Sequence, residues 1–209
     1  MMKEKVVVLG AGESGIGAAI LAKQKGYEVF LSDKNIIPLK LQSFLDEREI
    51  IWESGQHSLA PMEGASIVIK SPGIPGDIPL LEGLRGNGTR ILSEIEFAAQ
   101  ATSSKLIGIT GTNGKTTTTM MTYEILKNAG FHVGLAGNIG SSFAKQVAEE
   151  DFEYYILELS SFQLDDIDQF SPHIAVITNI TPDHLDRYGY NFESYIPSVP
   201  CILTPTKCL

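Results

Sequence analysis

Val6-Val7-Val8-Leu9 is an uninterrupted apolar run rich in β-branched residues, followed by Gly10-Ala11-Gly12-Glu13-Ser14-Gly15 and a helical stretch from Ile16 to Lys25 that Gly26 closes. This strand, turn and helix order recurs. Glu28 to Ser32 predicts a second strand ending at Asp33, Ser66 to Lys70 a buried strand, and Arg90 to Leu92 a short one. A short helix over Glu94 to Gln100 and the polar stretch Ala101 to Lys105 lead into a strand at Leu106 to Thr110 and a helix from Lys115 to Ala129. Strands at His132 to Leu135, Tyr154 to Leu159 and Ile174 to Thr178 follow, with a helix over Ser142 to Glu150. Strands alternating with helices predict an α/β protein with parallel sheets, whose ligands gather beyond the carboxyl ends of the strands. The 209 residues suit two domains of about 100 each. We place them at residues 1–93 and 94–195, with a tail at 196–209.

Leu106 to Thr117 carries the sharpest chemical signal. A buried strand runs into Thr110-Gly111-Thr112-Asn113-Gly114-Lys115-Thr116-Thr117 and then a helix, the context of a phosphate-binding loop. Gly111 and Gly114 can turn backbone N–H groups inward, Lys115 adds a point charge, and Thr116 places a hydroxyl where a phosphate-bound Mg²⁺ sits. The strict pattern has glycine where Ile109 stands, with Gly108 one place earlier. An ordinary strand-to-helix turn is the competing reading.

Gly10-x-Gly12-x-x-Gly15 with Asp33 after the next strand fits a Rossmann-like nucleotide site, or glycines kept for close helix-to-strand packing. Ser71-Pro72-Gly73 follows a strand and reads equally as a binding turn or a plain turn. Glu158 ends an apolar strand, where P-loop enzymes hold a Mg²⁺ carboxylate, unless it faces solvent on a sheet edge. His184 lies between Asp183 and Asp186 beyond the last strand, on the P-loop side of the same sheet.

Composition narrows the function classes. A net charge of −9 argues against a general nucleic-acid or membrane-surface binder, because those need a basic face for phosphates. No apolar run has signal-peptide character or spans a bilayer, so a cytoplasmic protein without membrane insertion is expected. Cys201 and Cys208 imply no disulfide framework, and Asn87-Gly88-Thr89 reads as a turn.

Residues 108–117, Gly137-Asn138-Ile139-Gly140, Glu158-Leu-Ser-Ser-Phe-Gln-Leu164 and Asn179-Ile-Thr-Pro-Asp-His-Leu-Asp-Arg-Tyr188 together resemble the Mur ligase family over residues 5 to about 195. The 158–164 run, with the N-terminal glycines and Ser71 to Gly73, most resembles the members that add D-glutamate. The resemblance implies a Rossmann-like domain followed by a P-loop, parallel-sheet ATPase domain, and an ATP-dependent amide ligase of peptidoglycan synthesis. Its cofactors would be ATP and Mg²⁺, and its substrates UDP-N-acetylmuramoyl-L-alanine and D-glutamate. It also implies roles by position. Gly111, Thr112, Asn113, Gly114, Lys115, Thr116 and Thr117 would hold the ATP phosphates, and Thr116, Glu158 and His184 the metals. Lys115, Asn138 and His184 would serve catalysis. Ser14, Asp33, Lys34, Ser71, Pro72, Gly73, Asn138 and Ser160 would hold the uridine nucleotide and muramoyl group. A nicotinamide-dependent oxidoreductase, read from the first glycine motif alone, and a nucleotide-binding remnant are the alternatives.

The resemblance breaks near Tyr195. The family's lysine, carbamylated so that its carboxylate bridges the second metal, falls at Val199, and Pro197, Pro200 and Pro205 interrupt the helix expected there. We therefore expect residues from about Ile196 onward to come from a shifted reading frame, and the chain, lacking the family's third domain, to be inactive alone.

Overall fold

The computed structural model describes residues 3–164, 167–182 and 202. Two all-parallel sheets carry the chain. In the first, β1 (Lys5–Leu9) lies between β2 (Glu28–Asp33) and β4 (Ile67–Lys70), with β3 (Ile51–Ser54) and β5 (Arg90–Ser93) at the edges, giving the order β3-β2-β1-β4-β5. The second has the order β7-β8-β6-β9, from β6 (Lys105–Thr110), β7 (Val133–Gly137), β8 (Tyr154–Glu158) and β9 (Ile174–Ile177). Burial on both faces explains why β1 lacks alternation. Val6 and Val8 pack on one side, Val7 and Leu9 on the other, and all four are fully buried.

The crossover helices are α1 (Glu13–Gln24), α2 (Leu39–Glu47), α3 (Pro79–Gly86), α4 (Glu94–Ala99), α5 (Lys115–Asn128), α6 (Phe143–Glu149) and a single turn, α7 (Ser161–Leu164). Helix α1 starts inside the glycine motif, with Gly12 as its N-cap, so Ser14 belongs to its first turn. The sequence pattern placed that start at Ile16, because Glu13, Ser14 and Gly15 have no helical hydrophobic period. Elements α2, β3 and α3 were not anticipated. Helix α2 buries only Leu45, β3 is four residues long at a sheet edge, and α3 contains two glycines.

Helix α1 packs directly on α6, and a continuous apolar cluster runs from Val8, Ala18 and Leu21 through Leu92 and Ile95 to Ala136, Phe143 and Tyr155. Gly17 sets this approach. A Cβ there would lie 1.9 Å from Ser142 Oγ, 2.8 Å from Ser142 Cβ and 2.9 Å from the backbone N of Lys145. Residues 183–201 and 203–209 lie outside the described chain, and with them the tail reading except for Ile202, which is buried. A Cβ on Gly108 would meet Ile202 Cδ1 at 2.7 Å.

Helix propensity and packing make opposite claims on Gly17. Alanine in a helix interior gains up to about 1 kcal/mol over glycine, whereas forcing a methyl into a closed contact costs about 1–3 kcal/mol. The contact distances favour the packing term, so Gly17→Ala should lower the urea midpoint without changing the dependence on denaturant. A midpoint raised by the substitution would show that α1 and α6 are less closely apposed.

Candidate active site

The carboxyl ends of β6, β8 and β9 lie side by side, and each delivers one part of the second-unit site. Gly111, at φ +126°, follows β6, and a Cβ there would meet Thr178 Oγ1 at 2.3 Å and Asn179 O at 2.7 Å. Only glycine fits. Gly114, at φ +83°, is the N-cap of α5. Lys115 Nζ donates to Gly111 O at 2.7 Å and Thr112 O at 2.9 Å, so the ammonium is held over its own loop.

The loop is wired to the segment beyond β9. Thr112 N donates to Asn179 O at 2.9 Å, Asn113 N to Asn179 Oδ1 at 3.0 Å, and Asn179 Nδ2 and Thr178 Oγ1 each to Asn113 O at 2.7 Å. Thr112 Oγ1 and Thr181 N form a further bond of 2.9 Å. The backbone amides of Thr112 and Asn113 are thus committed within the protein. Those of Gly114 to Thr117 open α5, where helix geometry supplies no acceptor and the dipole end is positive. Thr116 and Thr117 are exposed there.

Glu158 ends β8, which lies between β7 and β6, and the side chain is 1% exposed. That excludes a solvent-facing edge position. Its Oε1 accepts from Asn138 Nδ2 at 2.8 Å, while Oε2 is buried without a partner among the described residues. An orphaned carboxylate oxygen is costly to bury, and a cation beside a phosphate loop would satisfy it. Glu158 therefore fits a cation such as Mg²⁺, and Thr116 stands in the first turn of α5, which follows the strand next to β8. Among the described residues, no group of three or more His, Cys, Asp or Glu forms a metal site by itself. His184 lies outside the described residues. Asn138 is fixed to Glu158 twice, since its backbone N also donates to Glu158 O at 2.8 Å. Ser160 is engaged locally: its Oγ donates to Gln163 Oε1 at 3.1 Å and accepts from Gln163 N at 3.4 Å, a capping box that opens α7. Ser-x-x-Gln is a sequence signal for such a cap, overlooked within the longer motif.

The first unit repeats the strand-end logic. Gly10, at φ +100°, leads out of β1 between Asp33 at the end of β2 and Ser71 after β4. Asp33 Oδ2 accepts from Ala11 N at 2.7 Å and Oδ1 from Asn35 N at 2.8 Å, so the carboxylate braces the glycine loop. A Cβ on Gly10 would lie 2.4 Å from Ser71 Oγ, and that hydroxyl is buried without a partner among the described residues. Lys34 and Gly73 are exposed, and Ser14 and Pro72 half-buried. The Gly15 position is occupied by packing, since a Cβ there would lie 1.9 Å from Gly10 O.

Residues 109–200 match the Mur ligase middle domain. A UDP-N-acetylmuramoylalanine–D-glutamate ligase from Bacteroides fragilis is 57% identical over 193 residues, which cover 92% of this chain. The chain belongs to the Mur ligase family. A relative of the same name from Christiangramia forsetii is 54% identical over 197 residues. The chain spans 44% of the length of each of these relatives. Among solved structures, a UDP-N-acetylmuramate:L-alanyl-γ-D-glutamyl-meso-diaminopimelate ligase from Neisseria meningitides aligns with a TM-score of 0.61 at 19% identity, over 99% of this chain and 69% of its own. That likeness carries the fold. The oxidoreductase alternative finds no support, because these relatives are ligases.

The Mur ligase motifs do not include the two acids of α4, and both are buried. Glu94 Oε1 accepts from Ser142 Oγ at 2.7 Å and Ala144 N at 2.6 Å, at the start of α6. Glu96 Oε2 accepts from the backbone N of Asp168, Gln169 and Phe170 at 2.8–3.0 Å. Ser93 caps α4 by accepting from Glu96 N. Ser-x-x-Glu therefore reads in sequence as a capping box, yet the glutamate carboxylate bonds instead to residues 168–170.

Burial pushes the Glu94 carboxyl up to about 6, opposed by its bonds to Ala144 and Ser142 and reinforced by the charge of Glu13. A folded-state value above the unfolded one means the folded chain holds the proton more tightly. The charged form therefore destabilises the fold, by about 2 kcal/mol above pH 6 relative to below pH 4.5. Glu94→Gln should gain stability over the parent as pH rises from 4.5 to 7, by up to about 2 kcal/mol in urea titrations. A difference between the two proteins that does not change with pH would contradict the burial of a charged Glu94.

Proposed function

We propose that this chain is the nucleotide-handling part of an ATP-dependent amide ligase that adds D-glutamate to UDP-N-acetylmuramoyl-L-alanine in peptidoglycan synthesis. ATP phosphorylates the substrate's terminal carboxylate, the D-glutamate amine attacks the acyl phosphate, and phosphate departs from the tetrahedral intermediate. The observation that carries the reading is a phosphate loop beside a buried carboxylate with an unpartnered oxygen, in a chain 57% identical to a D-glutamate ligase over 193 residues.

Joining two anions in line demands charge neutralisation and positioning. Lys115 supplies a fixed positive charge, and two of its three donors already rest on loop carbonyls. The first-turn amides of α5 would take phosphate oxygens, and the bonds from Asn179 hold the loop in shape before nucleotide arrives. Thr116 and Glu158 would hold Mg²⁺, with His184 at a second metal; the ion would neutralise charge between the phosphates. Asn138 would fix Glu158 and meet the muramoyl group, and Ser160 would meet it after exchanging its bond to Gln163. In the first unit, Ser14, Asp33, Lys34 and Ser71 to Gly73 would receive the uridine nucleotide, with the unpartnered Ser71 hydroxyl as a donor. The boundary between the two domains falls on this reading at residues 93–94. The reading puts the protein in the cytoplasm, and among the described residues no helix is long and apolar enough to cross a membrane.

Calorimetric titration tests the assignment. The chain should bind ATP at millimolar concentration in a Mg²⁺-dependent way, Lys115→Ala should weaken that binding about tenfold or more, and Glu158→Gln should remove most of the Mg²⁺ dependence. UDP, and not NADH, should displace a UDP-sugar probe. Unchanged binding by Lys115→Ala, or displacement by NADH alone, would refute the proposal.

A further inference from the structure

The loop between β7 and α6 is pinned at both ends by carboxylates from different parts of the chain. At its start, Asn138 is bonded to Glu158. At its end, Ser142 and Ala144 are held by Glu94 from α4, and Ser142 N also donates to Glu13 Oε1 at 3.1 Å. Glu94 is 3% exposed, so its oxygens have protein partners or none. Glu13 follows the first unit's glycine loop directly and precedes Ser14. The bond from Ser142 to Glu13 therefore brings the 137–142 loop against the end of the loop proposed to hold the nucleotide. A ligand seated on residues 10–14 and longer than a nucleoside diphosphate would pass onto 137–142 without leaving the protein surface.

We propose that Glu94, acting through Ser142 and Ala144 with Glu13 beside it, is a positioning residue that holds the 137–142 loop in register with the glycine loop, so that the substrate beyond its nucleotide meets a preset surface. The proposal rests on the ligase reading for the identity of the long ligand. Its physical basis is preorganisation: a loop fixed beforehand loses little freedom on binding, whereas one displaced by an ångström loses much of its contribution. Glutamine at position 94 keeps an oxygen that accepts from Ser142 and Ala144. Alanine keeps none.

The test compares a ligand reaching only the first loop with one reaching both, UDP against UDP-N-acetylmuramoylalanine, by calorimetry on the 209-residue chain. Glu94→Ala and Ser142→Ala should each weaken the long ligand about tenfold or more while changing UDP affinity less than about twofold, and Glu94→Gln should retain the parent's affinity for both. Ser142→Ala decides the matter if Glu94→Ala does not fold. Equal loss of both ligands would mark Glu94 as a structural brace, and unchanged binding of the long ligand in the alanine variants would remove it from the site. Either result overturns the proposal while leaving the ligase reading intact. A parent chain that binds neither ligand overturns the ligase reading, and the positioning role falls with it.

Discussion

The contact between α1 and α6 is the constraint on which the arrangement of both sites depends. It is closed by the absence of a side chain at Gly17 and braced by the Glu94 carboxylate of α4, and these act on different terms of the folding balance. Gly17 lets the helices approach until Ser142 fills the space a methyl would take. Glu94 satisfies the Ser142 hydroxyl and the Ala144 amide at the start of α6, and Glu96 on the same short helix satisfies the amides of residues 168–170. Burying a carboxylate is unfavourable unless several donors converge on it, and three converge on Glu96 Oε2. The raised proton affinity of Glu94 is the residual cost of its burial.

Because both sheets are parallel, all their strands present carboxyl ends to the same side of each sheet, and loops bearing chemistry collect there. In the first sheet the chain reverses its direction of growth at β1, between β2 and β4, and Gly10, Asp33 and Ser71 meet at that point. In the second, β6 lies between β8 and β9, which bring Glu158 and Asn179 to the loop between β6 and α5. Each site is thus assembled from three neighbouring strands, with glycine where backbone must pass close to a side chain. Ser71 and Glu158, each with a side-chain oxygen that has no partner among the described residues, both sit at these points.

Much of this was legible in the residues, for physical reasons that differ by element. Buried parallel strands such as Val6 to Leu9 and Tyr155 to Leu157 are apolar on both faces and stand out as runs. Helix α5 was readable only through the motif at its start, because it buries Thr119 alone and leaves Met120, Met121 and Ile125 exposed, so it has no clear apolar stripe. Edge strand β3 and the surface helix α2 contribute little to the core and leave weak patterns. At the sites, Gly111, Lys115 and Glu158 fell where the motif spacing put them. The commitment of the Thr112 and Asn113 amides to Asn179 and the bracing of the glycine loop by Asp33 came from long-range hydrogen bonds that spacing does not encode, whereas the Ser160 cap is local and carried by Ser-x-x-Gln. Glu94 was invisible for a related reason. A short acidic helix in sequence is ordinarily a solvated one, and only the packing of α6 over it makes its carboxylate a buried acceptor.

On the proposed function, the two strand-end clusters serve one reaction, with a uridine nucleotide on the first and ATP on the second. The most direct measurement is a crystal structure of the chain with UDP-N-acetylmuramoylalanine and a non-hydrolysable ATP analogue bound together. The uridine should lie at Gly10 to Ser14, the muramoyl group along 137–142, and the substrate carboxylate within about 3.5 Å of the terminal phosphorus. Ligands seated on separate faces, with no path from the glycine loop through Asn138 to the phosphate loop, would contradict it.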